Sequence, residues 1–356
     1  MLADFWWNCP DLANWRPRGL GVGPCNGLEL FPLLGAGNTD MFVVGGESLI
    51  DLVSQPLGAD GVIRMEAHAG GSPYNCAIAL ARLGNETGFL CPISKDGFGD
   101  HLLGPLDKAG VRPLLPERVT APTTLAVVTL NARQQAQYEF YRSADRAFTE
   151  AGLIAALPAE PALFQFGGFC TIEPEDAKAW LAVADAAAAR GAMITLDPNI
   201  RPSLVADFDS YKQRLSGFFD RAHLIKLSDE DLAALDASKT IEQHVTELLR
   251  RPHCELVVVT LGEGGSRAFT RKGEGQADIY TPPVFGDTVG AGDSLMAGIL
   301  TLLAEEGHLA TGMLSALDGE ALSGVLRFGA VVAGLNCAEK GCHPPTRAEV
   351  DAVLSR

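Results

Sequence analysis

The segment Asp287-Thr-Val-Gly-Ala-Gly-Asp293, with the run Ser294-Leu-Met-Ala-Gly-Ile-Leu-Thr-Leu-Leu303 behind it, decides how this chain is read. The second part is a plain helix pattern. The first is a glycine-rich turn at its start. Free N–H groups at a helix N-terminus attract an anion. Glycines let a phosphate come close to the backbone. Asp293 falls in the first turn, where a carboxylate is well placed electrostatically. Such amides would face the oxygens of a transferring phosphoryl group, and the carboxylate beside them would take a proton from the attacking hydroxyl. Taken alone, the same residues also describe a capped helix with a stabilising Asp.

A second segment lies more than 200 residues upstream: Ala69-Gly-Gly-Ser-Pro-Tyr-Asn75-Cys-Ala-Ile-Ala-Leu-Ala-Arg-Leu83-Gly84. Ser72 suits an N-cap, Pro73 the first helical position, and Gly84 the stop. Asn75 then sits in the first turn, aimed at a ligand, and Gly70 and Gly71 permit close approach. A capped structural helix would read the same way. No Lys in the chain follows a Gly, so the Gly-x-x-x-x-Gly-Lys phosphate loop is absent. Gly-x-Ser-x-Gly and His-Glu-x-x-His are absent too.

Between these segments strands and helices alternate. Strand-like runs include Gly88-Phe-Leu-Cys-Pro-Ile93, Ala162-Leu-Phe-Gln-Phe166, Ala192-Met-Ile-Thr-Leu196, His223-Leu-Ile-Lys-Leu227 and Glu255-Leu-Val-Val-Val-Thr-Leu261. Amphipathic stretches such as 173–190 and 241–250 separate them. Apolar strands spaced by helices imply an α/β fold, with a mostly parallel sheet covered on both faces. The run Phe42-Val-Val-Gly-Gly-Glu-Ser-Leu-Ile-Asp51 reads as one opening strand. Two pieces break the rhythm: the short run Gly61-Val-Ile-Arg-Met-Glu66, and the β-rich stretches 123–130 and 137–141 around the polar residues 131–134. The second reads as a hairpin outside the main sheet. Lid segments are expected near 52–67 and 121–145.

Residues 1–40 hold three of the four tryptophans, are dense in Gly and Pro, and show no helix or strand period. We expect them to be an N-terminal extension, with the folded domain spanning 41–356. The glycines at 21, 23 and 27 lack the spacing and flanking elements of a dinucleotide loop.

Composition narrows the partners. The 356 residues are 47% apolar and 20% charged, as in globular proteins, and the net charge is -16. That charge repels nucleic acid and anionic lipid. No apolar run is long enough to span a bilayer. Eight cysteines without Cys-x-x-Cys read as reduced thiols in a cytoplasmic protein. Cys337, Cys342 and His343 lack a fourth ligand at useful spacing, and read as packing.

Together the Gly-Gly-x-x-x-Asn and Asp-Thr-x-Gly-Ala-Gly-Asp segments resemble the ribokinase-like (PfkB) carbohydrate kinase family, over about nine tenths of the chain. The resemblance implies a three-layer α/β/α core with a small β-sheet lid. It implies Asp293 as catalytic base and Gly290, Ala291 and Gly292 as the anion hole. Asp51, Gly70, Gly71 and Asn75 match positions that hold sugar hydroxyls. Thr260, Gly262 and Gly265 match the nucleotide side, and Asn336 a position bordering adenine. Asp287 and Val289 match positions near a monovalent cation (K⁺) in some members. ATP is the implied co-substrate, with Mg²⁺.

One departure stands out. Many members carry Asn-x-x-Glu where this chain has Lys226-Leu-Ser228-Asp-Glu-Asp231. Lys226 and Ser228 are then nucleotide-side candidates, and Asp231 a Mg²⁺ ligand acting through water. The alternative is a helix cap with acids in its first turn. The segment Tyr138-Glu-Phe140-Tyr141-Arg142 and the segment Asp197-Pro-Asn-Ile-Arg201 resemble those of bacterial fructokinases and 2-keto-3-deoxygluconate kinases. Phe140, Arg142 and Arg201 are therefore substrate candidates. The two arginines suit either sugar hydroxyls or a keto-acid carboxylate. The resemblance favours fructose, phosphorylated at O6. A sugar- or nucleotide-sensing protein on the same scaffold is the other class. A homodimer through the lid is the expected assembly.

Overall fold

Unbroken apolar strands need cover on both faces, and this chain supplies it. The computed structural model describes residues 41–55, 61–130 and 136–355. The expected extension 1–40, the connection 131–134 and part of the 52–67 lid segment lie outside the described residues.

The elements are β1 (Phe42–Gly45), β2 (Leu49–Ser54), β3 (Met65–Gly70), α1 (Ser72–Arg82), β4 (Thr87–Leu90), α2 (Gly97–Ala109), β5 (Arg112–Pro113), β6 (Leu125–Leu130), β7 (Ala136–Tyr141), α3 (Glu150–Ala156), β8 (Leu163–Gly167) and α4 (Pro174–Ala189). They continue with β9 (Met193–Asp197), α5 (Phe208–Phe219), β10 (Leu224–Ser228), α6 (Asp229–Asp236), α7 (Ile241–Leu249), β11 (Leu256–Thr260), β12 (Ser266–Phe269), β13 (Glu274–Ala277), α8 (Ala291–Glu305), α9 (Gly319–Asn336) and α10 (Arg347–Leu354).

Nine strands form one sheet, ordered β13-β12-β11-β10-β9-β8-β1-β4-β5. From β11 to β5 it is parallel. The edge strands β12 and β13 are antiparallel. Successive residues of a strand point to opposite faces. In β1, Phe42 and Val44 join Leu80, Leu102, Met296 and Leu326 from α1, α2, α8 and α9. Val43 joins Leu153, Val183, Leu215 and Val245 from α3, α4, α5 and α7. The result is the ribokinase-like three-layer arrangement.

A second sheet, ordered β3-β2-β6-β7, stands apart from the first. The hairpin expected at 123–142 is present as antiparallel β6 and β7. Two readings change. The run 42–51 is not one strand: β1 ends at Gly45, and β2 belongs to the small sheet. The polar pair Glu47 and Ser48 breaks it, because Glu47 turns inward and accepts the Phe169 N–H at 2.9 Å. The run 61–66 contributes only its end, since β3 starts at Met65 and pairs antiparallel with β2.

Helix α8 packs along α9 at a contact with no side chain between the backbones. A Cβ on Gly298 would lie 2.8 Å from the Gly329 Cα and 3.0 Å from a Val332 methyl. Gly298→Leu must part the two helices, and is expected to cost about 1–3 kcal/mol of stability by overpacking. Urea unfolding measures it, and an unchanged midpoint would refute the contact.

Candidate active site

Two helices begin at the same place. At the start of α8, Gly290 takes the left-handed conformation, φ 74°. A side chain there would also strike the Cys342 thiol. Ala291 N–H donates to the Thr288 carbonyl at 3.1 Å. The Ala291 amide thus closes the turn, while the Gly290 amide has no acceptor among the described residues. The amides of Gly292 and Asp293 find no acceptor among the described residues. They remain available to an anion, as the first amides of a helix do.

Across from it α1 begins. Its cap position is Gly71, with φ 112° and no side-chain cap bond. A Cβ on Gly71 would lie 2.8 Å from the Glu47 carbonyl, so only glycine fits. Ser72, read as the cap, is inside the helix instead. Its hydroxyl donates to Asp293 Oδ1 at 2.6 Å, and Asn75 Nδ2 donates to Oδ2 at 2.9 Å. Asn75 thus reaches the base itself. Asp293 is 8% exposed. Burial pushes its pKa up to about 6, against the pull of the Ser72 and Asn75 hydrogen bonds. Asp51, on β2, lies against Gly70. Burial pushes its pKa up to about 6 as well, with His68 pulling it down.

Beneath Gly292 lies a buried ion pair. Lys226 Nζ donates to Asp197 Oδ2 at 2.6 Å, and a Cβ on Gly292 would sit 3.4 Å from Nζ. Asp197 escaped notice as a site residue. A Lys inside the apolar strand His223-Leu-Ile-Lys-Leu227 demands a counter-charge, and that was the available signal. Ser228 and Asp231 form a capping box on α6. Asp231 accepts backbone N–H groups from Ser228 and Ile200, each at 2.8 Å. Each oxygen thus accepts one N–H, and Asp231 takes the helix-cap role that was the alternative to a metal-organising one. No three His, Cys, Asp or Glu side chains among the described residues converge as a metal cage.

The segment ahead of α8 is fastened from the end of α9. Asn336 is fully buried. Its Nδ2 donates to the Val289 carbonyl at 2.7 Å, and its Oδ1 accepts the His343 N–H at 2.9 Å. Asp287 accepts N–H groups from Val289 and Gly341, each at 2.9 Å. Asn336 thus clamps the loop, with both ends of its amide bonded inside the protein, and Asp287 and Val289 help hold that loop.

Arg142 pairs with Asp145 at 2.7 Å and Asp176 at 3.1 Å through Nε and Nη2, and lies 4.6 Å over the Phe169 ring. It fastens the foot of the small sheet, while its buried Nη1 has no hydrogen-bond partner among the described residues. Arg201 is exposed, and donates to the Ile200 carbonyl at 3.2 Å. Phe140 meets Phe169 edge-on at 5.2 Å. Phe140, Arg201 and Asp231 line one cavity of about 520 Å³.

Thr260 ends β11, and Gly262 and Gly265 bound the turn into β12. Gly265 packs on the backbone of Ala277 and Asp278, and Gly334 on that of Tyr280. The segment 278–289 therefore runs from that turn to the end of α9. It carries four large exposed apolar side chains, Ile279, Val284, Phe285 and Val289. The sequence reading passed over Ile279, Val284 and Phe285, since no period marks them. Exposed apolar residues in such a cluster mark a binding surface.

The clamp makes a testable distinction. Asn336→Ala leaves the Val289 carbonyl and the His343 N–H without their partner, and is expected to cost about 1–3 kcal/mol of stability. It should lower kcat more than it raises the KM for nucleotide. Unfolding curves and initial rates check this, and an effect confined to nucleotide KM would favour the adenine role.

The family model described as "pfkB family carbohydrate kinase" matches residues 39–349. Fructokinase-2 of Solanum lycopersicum is 33% identical over 334 residues, covering 90% of this chain and 98% of that protein. Fructokinase-1 of Oryza sativa subsp. japonica is 32% identical, covering 89% and 98%. Among solved structures, the fructokinase with bound ATP from Xylella fastidiosa superposes with a TM-score of 0.80 at 27% identity, covering 89% of this chain and 99% of that one. The ATP- and Mg-bound putative ribokinase II of E. coli shares the fold, with a TM-score of 0.72 at 20% identity over 90% and 100%. The carboxylate Asp293 at a glycine-rich helix start, facing a second helix start, is thus set in a known frame: this chain belongs to the pfkB family of carbohydrate kinases.

Proposed function

We propose that the protein is an ATP-dependent fructokinase, transferring the γ-phosphoryl group to the primary hydroxyl that gives fructose 6-phosphate. The observation that carries this is Asp293, a buried carboxylate beside two free helix amides. Fructokinases are the relatives it matches along almost their full length.

The sugar hydroxyl meets Asp293, which orients it and takes its proton as the oxygen attacks phosphorus. The amides of Gly292 and Asp293 hold the charge on the transferring group. Lys226, behind Gly292, adds positive potential that Asp197 partly offsets. Asp51, Gly70 and Gly71 lie at the root of the small sheet, next to the start of α1, and suit the remaining sugar hydroxyls. ATP would lie along Thr260, Gly262 and Gly265, with the adenine against the apolar side chains of 279–289. Mg²⁺ in such enzymes is held by nucleotide phosphates and one or two carboxylates. Asp231, whose oxygens each already accept one N–H, would serve such a metal through water, and no step is assigned to the metal.

β3 is an edge strand of the small sheet with exposed residues from Met65 to His68. An open edge suits pairing with a second copy, which light scattering measures. Among the described residues no helix is long and apolar enough to cross a membrane. The buried free thiols suit the cytoplasm.

Coupled ADP release across a sugar panel tests the assignment. Fructose-dependent turnover is expected. Preference for 2-keto-3-deoxygluconate would reassign the substrate, and no sugar-dependent turnover would leave a sensor. Asp293→Asn should lower kcat by roughly 10²–10⁴ with little change in sugar binding. A near-normal kcat would remove Asp293 from the role. The base acts ionised and its pKa stands at about 6. kcat/KM should therefore hold above that pH and fall as pH drops through it. A profile flat down to pH 5 would contradict the assignment.

A further inference from the structure

Each oxygen of Asp293 is held by one donor, and both donors come from α1. Asn75 belongs to the motif that brought the chain to its family. Ser72 does not, and its hydroxyl has no duty in its own helix, because Gly71 occupies the cap position without a side-chain bond. The hydroxyl reaches instead across 221 residues of sequence to Oδ1 at 2.6 Å. We propose that Ser72 is a positioning residue of phosphoryl transfer, fixing Asp293 Oδ1 and keeping the carboxylate ionised and aimed at the attacking hydroxyl. This rests on the reading of Asp293 as the base.

The physical reason is the choice of bond. A hydroxyl donating to a carboxylate makes a short, charge-assisted hydrogen bond, about twice as strong as a neutral one. It favours the charged form of its acceptor. A carboxylate held at both oxygens cannot turn about its own axis. Each oxygen keeps a further lone pair, so the substrate hydroxyl can donate without displacing Ser72.

Among the described residues the other groups facing Asp293 do not hold Oδ1. Burial works against ionisation. Asp197, on β9, also opposes it. Lys226, on β10, supports it, but is already paired with Asp197 at 2.6 Å. Cys76 on α1 and Cys342 beside Gly290 are thiols that burial holds protonated. Asn75 grips the other oxygen and donates from a neutral amide.

The test compares Ser72→Ala and Ser72→Thr with the wild type. One readout is the pH profile of kcat/KM with the best sugar of the panel. The second is the carboxyl ¹³C titration of Asp293 in sugar-free protein, assigned by its loss in Asp293→Asn. Ser72→Ala should move both upward by about one pH unit, the scale of one hydrogen bond to a charged group. kcat should fall about tenfold, with sugar KM changed less than threefold, as for an interaction used in the transition state. Ser72→Thr, which keeps the hydroxyl, should restore both titrations. An unmoved titration in Ser72→Ala overturns the proposal, as does failure of threonine to restore it. A change confined to sugar KM also overturns it, since Ser72 would then contact the sugar. If the alanine variant does not fold, Ser72→Cys, similar in size and a weak donor, is read by the same criteria. The NMR titration needs no sugar, so an error about fructose shows only as missing wild-type turnover.

Discussion

Two helix N-termini, those of α1 and α8, come together, and the carboxylate of Asp293 joins them. This is the constraint on which the rest of the site depends. Both helices start at glycines with positive φ, Gly71 and Gly290. At each start the chain runs too close to a neighbour for a side chain: the Glu47 backbone at Gly71, Cys342 at Gly290. The meeting concentrates unpaired amides at one spot, which favours negative charge. The protein places one negative charge there itself, and a second, the transferring phosphoryl group, is what the proposed reaction brings.

The groups around this centre hold one another. Lys226 answers the burial of Asp197, and Asn336 ties the turn before α8 to the chain after α9. At the foot of the small sheet Arg142 is held by Asp145 and Asp176. Glu47 sits in the link between β1 and β2, and burial pushes its pKa up to about 7. These side chains have one thing in common. Each was charged or polar in a place where the apolar pattern gave no use for it, and each proved to anchor a connection. Polar groups removed from water must find partners, and the cheapest ones are nearby backbone groups and opposite charges.

Much of the fold was legible. The runs at 162–166, 192–196, 223–227 and 255–261 each became a strand to within a residue, and 88–93 became the shorter β4, because a strand buried on both faces leaves an unmistakable apolar run. The break at Gly46 was not legible, since Phe42 to Asp51 reads as extended chain on either side of the turn. At the site, the position of Asp293 could be read from glycine spacing. At Asn336, Asp231, Asp287 and Arg142 the residue type suggested a ligand, and the structure adds protein partners that the sequence did not show. A residue type announces what it can bind, but not which of its atoms the protein has already occupied.

The sequence by itself determined the alternation of strands and helices, the two glycine-rich helix starts and the carboxylate between them. These are local matters of periodicity and backbone freedom, written in adjacent residues. Only the tertiary structure decided that Ser72 reaches Asp293 instead of capping its own helix, that Lys226 faces Asp197, and that Asn336 closes a loop. Those choices rest on contacts between residues 29 to more than 200 positions apart. No local pattern encodes them, because a hydrogen bond is selected by distance and burial once the layers have packed.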